Sequence, residues 1–350
     1  MRSEKPKDIC QSLAKVDLHR HLEGSLRLAT MVDIACSYDL SVPKERSELQ
    51  PMVQMMPGMD YNFRTFLAKF QTLRLFFQSP EIIMRLAREA IEDAAQQLDY
   101  LELRFTPVAL AKAHNFPLAD VMDWVCSSVS HASQEFGLPT RLIVSVNRHE
   151  PVALAEQVAS LAVTRMGLGI VGIDLAGNET DFPADPFAGL FREIKASGLK
   201  ITLHAGEWGG ADNVRRAIEL FCADRIGHGV RVLEDLDVCA LARERAIPFE
   251  VCITSNYQTG VISELTSHPI LRMVKTGLNA LISTDDPEIS QITLVDEFRL
   301  AKSNLGFTTE MLKERTHAAA MAAFLPDGER MQLVDRLNEE MAVIGNTSDL

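Results

Sequence analysis

The sequence predicts a parallel (β/α)8 barrel, and three of its features lead to that fold. Short, mostly apolar runs alternate with stretches of helical periodicity along most of the chain. Counted from Val16, these runs number eight, as the strands of a TIM barrel do. The first, fifth, sixth and eighth runs end in His, His, His and Asp, and TIM barrels carry their reacting groups at the carboxyl ends of the strands.

The strands are predicted from runs that are too short for helices and largely apolar throughout, as in a parallel sheet covered by helices. The first strand runs from Val16 through His19 and His21. The other seven are expected at residues 99–106, 141–147, 170–176, 200–204, 225–227, 248–252 and 278–283.

Helices are predicted where apolar residues recur every three or four positions. Within the barrel they are expected at residues 24–38, 81–98, 119–136, 151–165, 185–197, 211–221, 236–245 and 268–275. Extra C-terminal helices are expected at residues 294–304, 309–325 and 330–345. The sequence has no internal repeat or flexible linker, so residues 1–350 are expected to form one domain.

A long insertion after the first strand is expected to form a helical cap over one end of the barrel. Residues 41–58 mix Pro, Met and charged residues, which indicates a loop with short helical turns. Residues 61–77 return to helical spacing, with Phe63, Phe66 and Phe70 on the apolar positions. These rings fit either a packed core or direct contact with a substrate.

Composition and charge limit the classes of partner. The chain is 47% apolar and 24% charged, which is ordinary for a globular protein. Its net charge of −13 argues against nucleic acid or an anionic membrane, because both attract basic surfaces. The sequence has no apolar run long enough for a membrane span and no apolar signal core. We therefore expect a cytoplasmic protein, whose six cysteines are mostly buried thiols.

A His-x-His pair, His19 and His21, ends the first strand. Side chains alternate faces along a strand, so both imidazoles point the same way and can bind one metal ion. His204 and Asp285 end later runs, and three imidazoles with one carboxylate form a donor set that suits zinc. We expect one catalytic Zn²⁺ per chain, which activates a water molecule as the nucleophile. A structural zinc site is the alternative, although such sites are typically closed and rich in cysteine.

Three more polar residues follow the same run ends. Glu207 comes three residues after His204, where a carboxyl near the metal but not bound to it can carry a proton. His228 lies between two glycines and can reach the activated water, and Asp286 can accept a hydrogen bond from a substrate. For each of them, a surface or helix-capping role is the alternative.

Two motif matches point to other chemistry and are set aside. Residues 167–172 match the dinucleotide-binding pattern Gly-x-Gly-x-x-Gly, but they precede a strand instead of joining a strand to a helix. His21-Leu-Glu23 matches part of the cytidine deaminase signature, but the sequence lacks the Pro-Cys-x-x-Cys that completes it.

Six motifs, in order over nearly the whole chain, resemble those of the adenosine deaminase family. They are His19-x-His21-Leu-Glu-Gly, Gly172-Ile-Asp-Leu-Ala-Gly177, His204-Ala-Gly-Glu207, Arg225-Ile-Gly-His-Gly229, Ser255-Asn-x-Gln-Thr259 and Ser283-Thr-Asp-Asp-Pro287. The resemblance implies a (β/α)8 metal-dependent hydrolase of the amidohydrolase superfamily. Its substrate would be a small purine nucleoside, whose 6-amino group is replaced with oxygen.

The resemblance also assigns roles at the reacting atoms. It implies zinc on His19, His21, His204 and Asp285. Glu207 would then protonate purine N1 so that C6 becomes electrophilic. Asp285 and His228 would deprotonate the attacking water and orient it.

Further positions are implied to contact the substrate. Asp286 would meet purine N7, and the backbone N–H of Gly177 would donate to N3. His21 and Glu23 would complete this set. Glu250, at the end of the seventh strand, is expected to orient His228.

Two residues depart from the family pattern, and they leave the substrate open. Glu23 stands where the family usually has an Asp that reaches the ribose 5′-hydroxyl, and Asn178 also replaces an Asp. Adenosine and 2′-deoxyadenosine are expected, and the Leu-Ala-Gly of the fourth strand favours a nucleoside. Adenine, aminodeoxyfutalosine or a modified adenosine is the alternative. A zinc-binding protein without catalysis is another, although binding alone needs no proton carrier.

Overall fold

A computed structural model describes residues 8–345, and its strands form the predicted barrel. All eight strands are parallel, and each pairs with the next along the chain. They are β1 (Val16–His21), β2 (Tyr100–Phe105), β3 (Thr140–Asn147), β4 (Ile170–Ala176), β5 (Lys200–Ala205), β6 (Arg225–His228), β7 (Pro248–Val251) and β8 (Asn279–Ile282). The predicted fold class is confirmed.

The barrel closes where the segment after β8 meets β1. The backbone N–H of His21 donates to the carbonyl of Asp285 at 2.8 Å. In return, the N–H of Asp285 donates to the carbonyl of His19 at 2.7 Å. The seam between the first and last strands therefore passes through three of the predicted metal ligands.

Helices cover the outside of the sheet and one of its ends. They are α1 (Ile9–Ser12), α2 (Leu28–Ser37), α3 (Arg46–Val53), α4 (Phe63–Leu73), α5 (Pro80–Ala95), α6 (Pro107–Ala111), α7 (Leu118–Phe136), α8 (Val152–Val163), α9 (Ala188–Ser197), α10 (Ala211–Glu219), α11 (Leu236–Glu244), α12 (Ile253–Gln258), α13 (Ile270–Lys275), α14 (Pro287–Ser290), α15 (Leu294–Asn304), α16 (Thr309–Ala322) and α17 (Asp327–Gly345). Helices α3 and α4 lie in the stretch predicted as a cap after β1, and α15 to α17 are the extra C-terminal helices.

Most differences from the predicted helices are short. The stretch expected as a loop with helical turns contains the two-turn helix α3, because Leu49 and Val53 pack into the core despite a proline inside the helix. Helices α1, α6, α12 and α14 were not predicted. Each has six residues or fewer and is too short to show a helical period.

The cysteines of the described part of the chain agree with the expectation that most of them are buried thiols. Between residues 8 and 345, no helix is long and apolar enough to cross a membrane. Four of the six cysteines are buried, whereas Cys36 and Cys222 are exposed.

Candidate active site

The strand ends bring the predicted residues together at one end of the barrel. His19 and His21 lie on β1, His204 lies on β5, His228 ends β6, and Asp285 follows β8. All five are buried. His228 and Asp285 have positive φ angles of 59° and 69°. Residues other than glycine rarely adopt this left-handed conformation, and such strain concentrates at functional sites.

The imidazoles converge on one carboxylate. Nε2 of His19 lies 3.2 Å from Oδ1 of Asp285, and Nε2 of His21 lies 3.3 Å from the same oxygen. The ring centroid of His204 is 4.7 Å from that of His19. Three imidazoles and a carboxylate at these separations have the arrangement of a metal centre.

Carboxylates hold the far nitrogens of two of these rings. Nδ1 of His19 lies 2.8 Å from Glu250, and Nδ1 of His204 lies 3.0 Å from Asp174. This leaves Nε2 of each ring facing the centre, and Nε2 of His19 is buried with no hydrogen-bond partner. Metal-binding histidines have this pattern of a carboxylate behind the ring. The donor set therefore fits a metal ion.

The contact of Glu250 differs from the expectation. The sequence predicts that Glu250 orients His228, but its carboxylate contacts Nδ1 of His19 instead. The residue that does contact Nδ1 of His228 is Asn256, at 3.1 Å. Glu250 and His228 lie on neighbouring strands, but side chains on neighbouring strands need not contact each other. The register of the strands decides which partner each side chain meets.

Proximity alone does not single out the four predicted ligands. Donor atoms of His19, His204, His228 and Asp285 all lie within 4.8 Å of one another. A second such group contains His21, Asp174 and His204. The structure thus brings the predicted ligands together, but it also places a fourth imidazole at the same centre.

The buried charges behind the ligands keep those carboxylates ionised. Burial raises the pKa of Glu250, but Arg104 and Arg225 outweigh burial and hold this pKa well below its usual range. Burial also raises the pKa of Asp174, and His204 and Arg104 reverse that effect. In turn, burial lowers the pKa of His204 to about 4. A neutral imidazole is the form that binds a metal.

Glu207, the predicted proton carrier, lies in the same buried site. It is buried, and its Oε1 has no hydrogen-bond partner. Burial, reinforced by the charge of Asp285, raises the pKa of Glu207 well above its usual value. A carboxyl whose pKa is raised holds its proton more readily, and it can pass that proton or donate a hydrogen bond to a ligand.

One functional contact was missed by the sequence analysis. The carboxylate of Glu179 accepts from the backbone N–H groups of Gly206, Glu207, Trp208 and Gly209, at 2.6 to 3.1 Å. These bonds fix the loop that carries the candidate acid. Glu179 directly follows Asn178, but no short motif signals a contact that spans 27 residues.

The remaining predicted substrate contacts line the same cavity. Asp286 is buried, and its Oδ1 has no partner. It packs so closely on Gly24 that a Cβ there would lie 1.8 Å from this oxygen, so only glycine fits. Glu23 accepts from the N–H of Thr106 at 2.8 Å through Oε1, while its buried Oε2 has no partner. Gly177 also lines the cavity, with a φ of 99°.

The cap supplies the apolar wall, and Asn178 has a local role. Phe66 and Phe70 of α4 line the cavity together with Trp208, so these cap rings face the site. Trp208 in turn stacks on Phe63 with ring centroids 5.0 Å apart. The side chain of Asn178 accepts from two N–H groups of its own loop, which makes it a turn-forming residue.

Comparison with known proteins gives consistent matches over nearly the whole chain. A family model described as Adenosine deaminase matches residues 14–340. A curated relative from Aliivibrio fischeri, named adenosine deaminase, is 35% identical over 93% of this chain and 98% of its own length.

Solved structures share the fold. An amidohydrolase from Burkholderia ambifaria, solved with bound zinc, has a TM-score of 0.88 and 25% identity over 99% of this chain and 96% of its own. An N6-mAMP deaminase from Arabidopsis has a TM-score of 0.83 and 26% identity, with 94% of this chain and 99% of its own covered.

Proposed function

The chain belongs to the adenosine deaminase family, and we propose that it hydrolyses adenosine and 2′-deoxyadenosine to inosine, 2′-deoxyinosine and ammonia. The observation that carries this proposal is the buried acid Glu207 beside a His and Asp metal-type centre in one cavity. A site that only bound a ligand would have no need for a carboxyl with a raised pKa next to such a centre.

The proposed metal ligands are His19, His21, His204 and Asp285, and the proposed ion is one Zn²⁺ per chain. Imidazole and carboxylate donors suit zinc, and the amidohydrolase from Burkholderia ambifaria was solved with bound zinc. When bound, the ion polarises a water molecule so that it can attack at neutral pH.

The chain's own residues handle the protons. Asp285 takes the proton of the attacking water, and the hydroxyl of Ser255 holds this carboxylate by donating to Oδ2 at 2.6 Å. Glu207 delivers its proton to purine N1, which makes C6 more electrophilic. Both residues are buried, so solvent does not compete for either proton.

The remaining contacts orient the purine and its sugar. Asp286 and Glu207 would meet N7 and N1, and the N–H of Gly177 would donate to N3. Glu23, with one unpartnered oxygen, would accept from the ribose 5′-hydroxyl. His21 lines the cavity between the metal centre and these groups. We place all these functions in one domain that spans the whole chain.

A second candidate is a different 6-aminopurine, including adenine, aminodeoxyfutalosine and modified adenosines. Glu23, with its longer side chain, supports it, because the ribose end of the cavity differs there from the family pattern. The Arabidopsis relative is named as a deaminase of an N6-methylated nucleotide. A protein that binds zinc without catalysis is the third candidate.

The deciding experiment measures ammonia released from adenosine by the zinc-loaded protein, with a metal-stripped sample as control. Rapid release that depends on the metal supports the proposal. A folded, zinc-loaded protein that releases ammonia from adenine, aminodeoxyfutalosine or N6-methyladenosine but not from adenosine would support the second candidate. No release from any of them would leave zinc binding as the function.

A further inference from the structure

We propose that Asn256 and His268 are positioning residues that fix His228 as a neutral imidazole with its proton on Nε2. His228 then presents an N–H donor to the attacking water and does not act as a base. This inference rests on the proposed function, and it removes the deprotonating role that the family resemblance implies for His228.

The argument starts from a backbone amide. The N–H of Ile270 donates to Nδ1 of His268 at 3.2 Å. A backbone N–H can only donate, so Nδ1 of His268 carries no proton. His268 is buried, and burial lowers its pKa to about 3. Its imidazole is therefore neutral at physiological pH, with its one proton on Nε2.

That proton sets the orientation of the next side chain. Nε2 of His268 lies 3.3 Å from Oδ1 of Asn256. Because this nitrogen is a donor, the atom facing it must be the carboxamide oxygen. The amide nitrogen, Nδ2, then faces the other way and lies 3.1 Å from Nδ1 of His228.

The last link of this chain determines the tautomer at the active site. An amide nitrogen can only donate, so Nδ1 of His228 accepts and is unprotonated. The proton of the neutral ring is therefore on Nε2. All three side chains are buried, so water does not offer alternative partners.

The surroundings of Nε2 indicate what it donates to. This nitrogen lies 3.6 Å from Glu207 Oε2 and 3.9 Å from Asp285 Oδ2. Both distances are too long for direct hydrogen bonds. In the proposed reaction, the oxygen of the attacking water lies between the candidate acid and the candidate base. An N–H aimed there stabilises the negative charge that this oxygen gains when Asp285 takes its proton.

The same tautomer removes the ambiguity in the ligand set. His228 is as close to the centre as the proposed ligands, but a nitrogen that carries a proton cannot bind a metal. His19 and His204 differ because carboxylates accept from their Nδ1 atoms and leave Nε2 free. At His228 the amide of Asn256 donates to Nδ1, so the proton is on Nε2 and this nitrogen is not free to bind a metal.

The test combines a near-isosteric substitution with a spectroscopic measurement on the zinc-loaded protein. Asn256→Asp replaces the donor Nδ2 with an oxygen, which accepts from Nδ1 of His228. In ¹⁵N-histidine-labelled wild type, we expect a protonated Nε2 and an unprotonated Nδ1 for His228, assigned by the signals that His228→Gln removes. In Asn256→Asp, Nδ1 becomes protonated and kcat falls at least tenfold, while KM changes by less than about threefold.

A pair of variants at position 268 separates orientation from packing. His268→Gln retains an N–H that can donate to Oδ1 of Asn256, whereas His268→Leu fills similar volume without a donor. We expect the first to keep the wild-type tautomer and most of kcat. The second frees the Asn256 amide to rotate, so it yields a mixture of His228 tautomers and a lower kcat.

The outcomes are distinct from those of the deaminase assay. A wild-type spectrum with the proton on Nδ1 overturns the inference, and this spectrum decides even if a variant fails to fold. Unchanged kcat in a folded Asn256→Asp protein with a shifted proton overturns the positioning role. A protein with the expected tautomer that deaminates no 6-aminopurine instead overturns the proposed function.

Discussion

Two neighbouring regions inside the barrel treat buried charge in opposite ways. In the middle of the barrel, Glu102, Arg104, Arg225 and Glu250 are fully buried and joined to one another. Arg225 donates to both glutamates at 2.5 Å, and Arg104 donates to Glu250 at 2.8 Å. Here the charges of the two cations and the two carboxylates compensate one another within the protein, although Nε and Nη1 of Arg104 have no hydrogen-bond partner.

At the carboxyl end of the strands, buried polar atoms remain without partners. They include Nε2 of His19, Oε1 of Glu207, Oδ1 of Asp286 and Oε2 of Glu23. Leaving such an atom unsatisfied costs on the order of 1–3 kcal/mol. These unpaired atoms lower the stability of the folded chain, so they are not there to stabilise it. They mark the place where a bound ligand would complete the hydrogen bonds.

The largest effect should come from removing a ligand at the open end. His19→Ala deletes one proposed metal donor together with the partner of Glu250, so we expect loss of bound zinc and of all measurable deamination. Metal content by mass spectrometry and ammonia release are the measurements. Retention of stoichiometric zinc would contradict the proposed ligand set.

Glu207→Gln should separate metal binding from catalysis. The amide keeps the size of the acid but has no acidic proton to deliver, so we expect kcat to fall about 10²- to 10⁴-fold. Zinc content should stay at the wild-type level, because Glu207 is not a proposed ligand. Loss of metal from this variant would make Glu207 a ligand and would refute its role as the acid.

Glu250→Gln tests the paired region and its link to the open one. It leaves Arg104 and Arg225 with an uncompensated buried charge, which should lower the free energy of unfolding by about 3–5 kcal/mol. Because His19 loses its carboxylate partner, zinc affinity should also fall about 10- to 100-fold.

A matched surface pair provides the control for that prediction. Glu329 faces Arg141 at 2.5 Å, but both side chains are partly exposed. Glu329→Gln should cost at most about 1 kcal/mol in urea unfolding and leave zinc affinity unchanged. Equal losses in the two variants would mean that the buried network has no special role.

The smallest effect is expected at the sugar end of the cavity. Glu23→Asp shortens a side chain that accepts from the N–H of Thr106, so its free oxygen moves. We expect the ratio of kcat/KM for adenosine over 5′-deoxyadenosine to change by about tenfold, the size of one hydrogen bond to a charged group. An unchanged ratio would show that Glu23 does not contact the 5′-hydroxyl.

Sequence reasoning was strongest where the local pattern has a direct physical cause. The eight strands followed from apolar runs, and the convergence of His19, His204 and Asp285 followed from the common edge of parallel strands. Helix α3 was described only as helical turns, since its Pro51 and charged residues conceal a helix that is stabilised by packing of Leu49.

The partners behind the site could not be read in the same way. Asp174 lies in the family motif at residues 172–177, but its contact with His204 joins two different strands, β4 and β5. Glu179 and Glu250 likewise contact segments far away in sequence. Such pairings depend on the register and curvature of the closed barrel. A single sequence read on its own has no local pattern that reveals them.

The seam between β1 and the segment after β8 has a consequence for biosynthesis. A ribosome releases His19 and His21 early and Asp285 near the end, because the chain is made from its N-terminus. The hydrogen bonds that join these residues can form only after the last strand has docked on the first, a contact of very long range in sequence. Incomplete chains therefore carry the histidines without the carboxylate of Asp285, and metal binding at the proposed ligands would be a late event that reports the finished barrel.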